Sequence, residues 1–320
     1  MRVLIVRTSS LGDLVHMLPA ISDIAARVAG VTIDWVVEEA FSEIPGWHPA
    51  VNEVITVAHR RWRKAWLSRR SRTERAAVLE KIRDNRYDLV LDMQALLKSI
   101  WLVRAASGIK HGLDWRSARE PLCSLFYDER HHVEFWQPAV LRQRQLAAAA
   151  FAYQWLGEPD FGLQRFAVNK PAQTPYAVIM PSASREDKLW PSEYWQAVFD
   201  RLQSMGMELV LLAGNEQENA RAAELLQARD CARVQPRSTL TELAQLMAGA
   251  RIMVGLDSGL THLSAALGID TIGIYKASTP VRTPLVGSGY TASLGDRGKE
   301  PTVHSVLVSV DAALTMHLNQ

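Results

Sequence analysis

The chain has 320 residues, 48% of them hydrophobic, which is enough for two domains with cores of their own. Its net charge is only +2, so no general affinity for polyanions follows. Only two cysteines occur, Cys123 and Cys231, which argues against a disulfide scaffold or a cysteine-based zinc site and fits a reducing compartment. The N-terminus lacks the pattern of a signal peptide and no run of about 18 apolar residues occurs, so any membrane role should be peripheral.

In chain order, the first half alternates strands with helices, which predicts a parallel sheet with right-handed crossovers. Pro19 either bends the first helix or marks its true start. A break in composition over 157–172 predicts the end of an N-terminal Rossmann-like domain, residues 1–158. The predicted strands are 3–6, 31–37, 53–57 and 87–92, and the predicted helices are 14–28, 73–84 and 137–156.

The same alternation then restarts and predicts a second Rossmann-like domain over 170–308. A C-terminal helix, 309–320, is expected to pack back toward the first domain. The fold class is therefore α/β, with two Rossmann-like domains that face each other across a cleft, where such folds bind ligands. The predicted strands are 176–180, 207–212, 251–254, 271–275 and 304–308, and the predicted helices are 191–204, 217–228, 239–248, 259–267 and 309–318.

The segment 254–267 predicts a strand, a tight turn and a helix. The first N–H groups of a helix have no internal partners, and with the helix dipole they form an anion site that Gly259 leaves open to a phosphate. The alternative is that Asp257 or Ser258 merely caps an ordinary helix.

The loop after the first strand, 7–13, lacks the glycines and the lysine of a Walker A loop and of the dinucleotide fingerprint. A dehydrogenase or a phosphate-transferring ATPase is therefore disfavoured. Asp13, at the first turn of the following helix, can act as a general base on an incoming hydroxyl, or it can serve only as a partner of the helix dipole.

Two further loops follow strands of the second half. Lys188, with Ser184 before it, precedes a proline-initiated helix and can neutralise a phosphate, although a pairing with Glu186 or Asp187 is the ordinary alternative. Glu218 follows the next strand, where an acidic residue commonly receives ribose hydroxyls, or it can be an exposed first-turn carboxylate.

A basic run with interleaved tryptophans covers residues 59–75, which contain eight lysines and arginines against one glutamate. Such a run suits an anionic lipid, a saccharide or a nucleic acid, and a solvated basic helix is the alternative. No metal is expected, because no histidine or carboxylate spacing typical of a metal site occurs. Cationic side chains and a helix N-terminus can hold a leaving diphosphate instead.

Several of these motifs together resemble the lipopolysaccharide heptosyltransferases of glycosyltransferase family 9. The individual motifs are short, but their shared order along residues 1–275 is specific. After about residue 276 the match is poor, and no function is assigned there. The matching segments are Val-Arg-Thr-Ser-Ser-Leu-Gly-Asp at 6–13, 35–39, Arg-Arg-Trp-Arg-Lys-Ala-Trp at 60–66, 111–115 with 118–121, 187–191 and Asp-Ser-Gly-Leu-Thr-His at 257–262.

The resemblance implies a GT-B fold and an inverting, metal-independent transfer of L-glycero-D-manno-heptose from ADP-heptose to the first Kdo of Kdo2-lipid A, without a cofactor or nucleic acid. It also implies a cytoplasmic enzyme in peripheral contact with the anionic inner face of the inner membrane. Asp13 matches the general base. The donor residues implied are Lys188, Ser184, Ser258, Gly259 and Leu260 at the diphosphate, Asp257 and His262 at the sugar, and Glu218 at the ribose. The acceptor residues implied are Arg60, Arg61, Arg63, Lys64 and Arg119.

Two rivals remain at this point. A sister enzyme of the family that adds a second or third heptose would share the same donor site. A non-enzymatic protein that binds anionic surfaces through the basic run belongs to a different class.

Overall fold

The structure, a computed structural model, describes residues 1–155, 157–167, 174–183, 185–227 and 229–316. The chain forms two compact units, 1–162 and 163–320. The division lies within the stretch 157–172 in which the composition predicted a boundary. Each unit contains a six-stranded parallel sheet.

The first unit is built from strands and helices that alternate along the chain. Its sheet has the order β3-β2-β1-β4-β5-β6. Short 3-10 helices cover Glu39–Phe41 and Pro121–Phe126. The strands are β1 (Arg2–Val6), β2 (Thr32–Glu38), β3 (Val51–Val57), β4 (Leu89–Asp92), β5 (Ile109–Leu113) and β6 (Glu129–His131). The helices are α1 (Leu11–Val15), α2 (Leu18–Arg27), α3 (Glu43–Trp47), α4 (His59–Lys64), α5 (Arg69–Asp84), α6 (Leu97–Ala105) and α7 (Ala139–Phe151).

The helix predicted over 14–28 is two helices in the structure, α1 and α2. Pro19 lies in the first turn of α2, where its missing N–H costs nothing and its fixed φ suits the helix. Of the two roles considered for Pro19, it therefore has the second. Asp13 consequently belongs to a separate short helix beside the end of β1.

The second unit repeats the architecture, with the sheet order β12-β11-β10-β7-β8-β9. Its central strands, β7, β10 and β11, are almost wholly buried apolar runs, as expected for parallel strands covered on both faces. The strands are β7 (Tyr176–Met180), β8 (Glu208–Leu211), β9 (Ala232–Val234), β10 (Ile252–Leu256), β11 (Thr271–Tyr275) and β12 (Thr291–Gly295). The helices are α8 (Ser192–Ser204), α9 (Glu216–Leu226), α10 (Leu240–Ala248), α11 (Gly259–Ala266) and α12 (Val303–Thr315).

The strand predicted at 304–308 is wrong, because this segment begins α12. Thr302 caps the helix by accepting a hydrogen bond from the Ser305 amide at 3.2 Å. Val306 and Val310 then fall on one helical face and are buried in the core of the second unit. The described part of this helix contacts α8, β11 and β12. The packing of a C-terminal helix, 309–320, toward the first domain stays a prediction. Residues 317–320 lie outside the described residues.

Both sheets have the strand order of the Rossmann fold, which reverses between β1 and β4 in the first unit and between β7 and β10 in the second. Ligands of open α/β sheets bind at the carboxyl ends of the strands beside this reversal. The loops that follow β1, β4, β7 and β10 are therefore the first places to look for a site. None of the described helices is both long and apolar enough to cross a bilayer.

Candidate functional site

Asp257, directly after β10, accepts hydrogen bonds from three side chains. Lys188 Nζ lies 2.8 Å from Asp257 Oδ2 and 3.0 Å from the Asp257 carbonyl oxygen. His262 Nε2 lies 3.2 Å from Oδ1, and the Ser278 hydroxyl donates to Oδ2 at 2.5 Å. Burial raises the pKa of Asp257, but these hydrogen bonds and the charge of Lys188 outweigh it and hold the pKa well below its usual range. The structure thus joins Lys188, Asp257 and His262 around an ionised carboxylate.

The pairing of Lys188 differs from the ordinary alternative considered for it. Asp187 pairs with Arg185 instead, and Lys188 reaches across to the neighbouring strand end. The ammonium is therefore fixed beside the N-terminus of α11, which begins two residues after Asp257. Ser184 lies outside the described residues.

The N-terminus of α11 is capped by Ser258. The Ser258 hydroxyl accepts the Thr261 amide at 3.4 Å and lies 3.0 Å from Thr261 Oγ1. Ser258 is thus the helix cap that the sequence offered as one alternative. Capping does not exclude anion binding, because Gly259 and Leu260 occupy the first turn, where amides lack intrahelical acceptors. An anion at this turn would lie next to the fixed Lys188.

Glu218 has a local structural role at the start of α9. Its Oε2 accepts the Gly214 amide at 2.7 Å, and its Oε1 accepts Asn215 Nδ2 at 3.0 Å. In return, the Asn215 side chain caps the helix by accepting the Glu218 amide at 2.9 Å. This pairing fixes the carboxylate at the carboxyl end of β8, and the ribose contact stays a prediction.

Asp13 lies in the first turn of α1, close to the end of β1. Its Oδ2 accepts two hydrogen bonds from Ser10, from the amide and from the hydroxyl, both at 2.8 Å. Arg7 Nη2 lies 2.8 Å from Asp13 Oδ1. Partial burial raises the pKa of Asp13, but Arg7 and the two bonds from Ser10 together lower it below its usual value. The side chain is still 43% exposed, so an ionised carboxylate remains accessible to a ligand.

Gln94, which the sequence reasoning missed, holds the loop that leads to Asp13. Its Oε1 accepts the amides of Thr8 at 2.8 Å and Ser9 at 3.2 Å. Gln94 itself is fixed by Asp92, whose Oδ1 accepts a hydrogen bond from the backbone N–H of Gln94 at 2.8 Å. Its position in the sequence could have indicated this role, because Gln94 follows a predicted strand and lies at the sheet edge where the strand order reverses.

The five basic residues predicted to bind the acceptor differ in exposure and in whether carboxylates already pair with them. Arg61 is held between two carboxylates, Glu39 at 3.0 Å and Glu74 at 2.7 Å. Arg60 lies over the ring of Phe41. The exposed members of the set are Arg60, Arg63, Lys64 and Arg119. Arg61 therefore organises this surface more than it offers a charge to a ligand.

Among the residues that the structure describes, no group of three or more histidines, cysteines or carboxylates is arranged to hold a metal ion. The charges that the site offers to a diphosphate are Lys188 and the N-terminus of α11.

Known proteins match this chain over most of its length. Residues 75–309 match the model of glycosyltransferase family 9 (heptosyltransferase). Lipopolysaccharide heptosyltransferase 1 of Salmonella typhimurium is 44% identical over 284 residues, which span 88% of this chain and 90% of that protein. Its namesake in Pseudomonas aeruginosa is 42% identical over 300 residues, 92% of this chain and 82% of that protein. The solved structure of the E. coli heptosyltransferase WaaC with ADP has a TM-score of 0.92 at 40% identity, covering 98% of this chain and 100% of that one.

The two Rossmann-like units and these matches define a glycosyltransferase. More specifically, the chain belongs to glycosyltransferase family 9, the heptosyltransferases. The predicted fold class, α/β with the two Rossmann-like domains of a GT-B enzyme, is confirmed. The match to the family model continues to residue 309, past the point at which the short motifs end.

Proposed function

We propose that this chain transfers L-glycero-D-manno-heptose from ADP-heptose to the first Kdo of Kdo2-lipid A, with inversion and without a metal. The likeness at 42–44% identity to proteins named lipopolysaccharide heptosyltransferase 1, over most of each chain, is the observation that carries the proposal. The ADP in the similar WaaC structure supports the choice of nucleotide.

The donor is assigned to the second unit. Lys188 and the first-turn amides of α11 supply positive charge for the diphosphate, which takes on further negative charge as the bond to the sugar breaks. Asp257 keeps Lys188 in position. Asp257 and His262, which contact each other, are assigned to the donor sugar. Glu218 is assigned to the ribose hydroxyls. A lysine held by a buried carboxylate needs little rearrangement when the diphosphate leaves.

The chemical step is assigned to Asp13. A hydroxyl oxygen of the acceptor attacks the anomeric carbon of the heptose, and the bond from that carbon to the diphosphate oxygen breaks as the new bond forms. The proton of the hydroxyl passes to Asp13. Because the pKa of Asp13 is below its usual value, the carboxylate is ready at neutral pH and accepts the proton late, once the attacking oxygen has become acidic.

The acceptor is assigned to the first unit and to a membrane surface. The exposed cations Arg60, Arg63, Lys64 and Arg119 suit the carboxylates and phosphates of Kdo2-lipid A. Directly after α4, Trp66 and Leu67 are 50% and 79% exposed amid the basic run, which suits peripheral contact with an anionic bilayer. The same contact would bring the enzyme to its lipid-anchored substrate.

The test is release of ADP from ADP-heptose and Kdo2-lipid A in the presence of EDTA. The wild type should release ADP, and Asp13→Ala should lose roughly 100-fold or more in kcat, the usual contribution of a general base. Asp13→Ala should keep its affinity for ADP, because the donor is bound elsewhere. Asp84→Ala, which removes an exposed carboxylate at the end of α5, is the matched control and should retain full activity.

Two outcomes would overturn parts of the proposal. Activity only on an acceptor that already carries heptose would assign the chain to the sister activity and leave the donor site standing. Affinity for Kdo2-lipid A without turnover by the wild type would favour the non-enzymatic anionic-surface binder.

A further inference from the structure

Lys98, on the first turn of α6, contacts the loop that positions Asp13. Its Nζ donates a hydrogen bond to the Ser9 hydroxyl at 2.9 Å. The next residue, Ser10, donates two hydrogen bonds to Asp13. The α6 lysine and the proposed base are thus held by adjacent residues of one short loop.

Two other cations of the first unit, Arg7 and Arg61, are already paired with carboxylates. Arg7 pairs with Asp13, and Arg61 lies between Glu39 and Glu74. For Lys98, the neutral Ser9 hydroxyl is the side-chain partner within the part of the chain that the structure describes. This ammonium therefore has a free charge to offer a ligand.

The surroundings of Lys98 favour the arrival of an anion. Partial burial lowers the pKa of Lys98 most, and the positive charges of Arg60 and Arg7 lower it further. The carboxylates of Glu38 and Asp13 act in the opposite direction but do not pair with it directly. A bound carboxylate would relieve this repulsion among cations and stabilise the charged lysine.

We infer that Lys98 binds a carboxylate of the acceptor sugar acid and thereby places a hydroxyl of the same sugar at Asp13. The inference rests on the proposed function. A sugar acid carries a carboxylate and hydroxyls on one ring, so it requires a cation and a base near each other. Lys98 also screens Asp13 from the negative charge of the acceptor, which would otherwise repel the base.

The experiment compares two acceptors, Kdo2-lipid A and the same molecule with its carboxylates converted to carboxamides. With Kdo2-lipid A, Lys98→Met should raise the acceptor KM about 10- to 100-fold, the usual effect of losing a charge-assisted hydrogen bond, and leave the ADP-heptose KM within about twofold. The change from Kdo2-lipid A to the carboxamide should raise the acceptor KM of the wild type by a similar factor, and should raise that of Lys98→Met clearly less. Lys98→Arg should recover most of the wild-type KM.

Lys110→Met serves as the control, because Lys110 lies on β5 and donates to the Gly108 carbonyl oxygen. Its kinetics should match those of the wild type, and thermal unfolding should show that all variants are folded. An unchanged acceptor KM in Lys98→Met, or an equal loss on both acceptors, overturns the inference while wild-type turnover leaves the proposed function standing. Absence of wild-type turnover on Kdo2-lipid A overturns both.

Discussion

At the scale of residues, Asp13 and Asp257 are both ionised carboxylates that follow a strand, but their neighbours give them different chemistry. Asp257 accepts from Lys188, His262 and Ser278, and its side chain is 12% exposed. Its oxygens are occupied, so it can hold other groups in place but has little capacity to take a proton. Asp13 has fewer partners and more exposure, which suits a base.

His48 gives a prediction about stability and pH. The Ala50 amide donates to His48 Nδ1 at 3.2 Å, so Nδ1 is unprotonated and Nε2 donates to Ser22 Oγ at 2.8 Å. Burial lowers the pKa of His48 from 6.5 to about 4, although Asp160 opposes the shift. Because folding lowers this pKa, the stabilisation is complete above about pH 6.5 and is lost as the pH falls toward 4.

Between pH 7.5 and 4.5 the loss should reach about 2 kcal/mol, given about 1.4 kcal/mol per pKa unit. Urea unfolding of the wild type and of His48→Asn at both pH values measures it, since asparagine does not titrate. When the pH is lowered from 7.5 to 4.5, the free energy of unfolding should decrease less in the variant than in the wild type. His304→Asn, at an exposed position on α12, is the control and should keep the wild-type slope. Equal slopes for His48→Asn and the wild type would contradict the prediction.

The sequence indicates candidate residues for the site but not the side chains that they contact. Asp257 and Lys188 stand out because each follows a strand in a loop of polar residues, and such loops meet at one edge of a parallel sheet. Their direct contact joins residues 69 positions apart, which no local pattern encodes. Ser278 and Gln94 were missed for the same reason. The contacts of a single polar residue in a loop depend on the tertiary structure, and the local sequence does not determine them.

At the scale of elements, the sequence predicted the strands β1 to β4, β7, β8, β10 and β11, and it missed β5, β6, β9 and β12. The strands predicted at 176–180 and 271–275 are confirmed to the residue, because both are buried apolar runs bounded by polar loops. The short edge strands β6 and β9 carry polar residues and exist only through pairing with a neighbour. The valine-rich first turns of α12 were mistaken for a strand, and the helix cap at Thr302 was the signal overlooked.

Glu38 gives a prediction about the helix α4, which carries the basic residues. At the end of β2, its carboxylate accepts the amides of His59 at 3.1 Å and Arg60 at 3.0 Å, so it caps α4 from a distant part of the chain. Glu38→Ala leaves those amides unsatisfied and should cost about 1–2 kcal/mol of stability. It should also raise the KM for Kdo2-lipid A several-fold, because the proposed function assigns Arg63 and Lys64 of α4 to the acceptor.

Thr302→Ala is the matched control for Glu38→Ala, since it removes the cap of α12 in the second unit. It should cost about 1 kcal/mol of stability, as losses of a helix cap typically do, and leave the acceptor KM unchanged. Urea unfolding and steady-state kinetics measure both variants. An equal rise of the KM in the two variants would mean that stability, and not the orientation of α4, sets acceptor binding.

At the scale of the whole molecule, two units of the same topology carry different charges at their sites. In the second unit, Lys188 and His262 both contact the carboxylate of Asp257 beside a helix N-terminus. In the first unit, the basic run 59–75 leaves many cations exposed. This division agrees with a small diphosphate donor on the second unit and a large anionic acceptor on the first. The alternation of strands and helices in the sequence predicted that the Rossmann topology occurs twice. Which charged side chains are paired and which are unpaired could be seen only in the structure.

The last prediction concerns the contact with a membrane. Arg75 fixes the turn between α4 and α5, because its guanidinium lies 3.5 Å from the centre of the Trp66 ring and donates to the Trp66 carbonyl oxygen at 3.0 Å. Trp66 and Leu67 are therefore presented on a held turn, where each can bury apolar area in a lipid interface. The surrounding cations add about 1 kcal/mol each near an anionic surface, an attraction that salt screens.

Sedimentation with vesicles measures this contact. The wild type should bind vesicles that contain phosphatidylglycerol, bind vesicles of phosphatidylcholine far less, and dissociate as salt is raised. The double variant Trp66→Ser with Leu67→Ser should bind about tenfold more weakly, because two partly buried side chains supply at least that factor. Trp136→Ser, which alters a 67% exposed tryptophan outside the basic run, should bind as the wild type does. Equal binding to both kinds of vesicle would contradict the charge argument, and equal loss in both tryptophan variants would mean that any exposed aromatic side chain suffices.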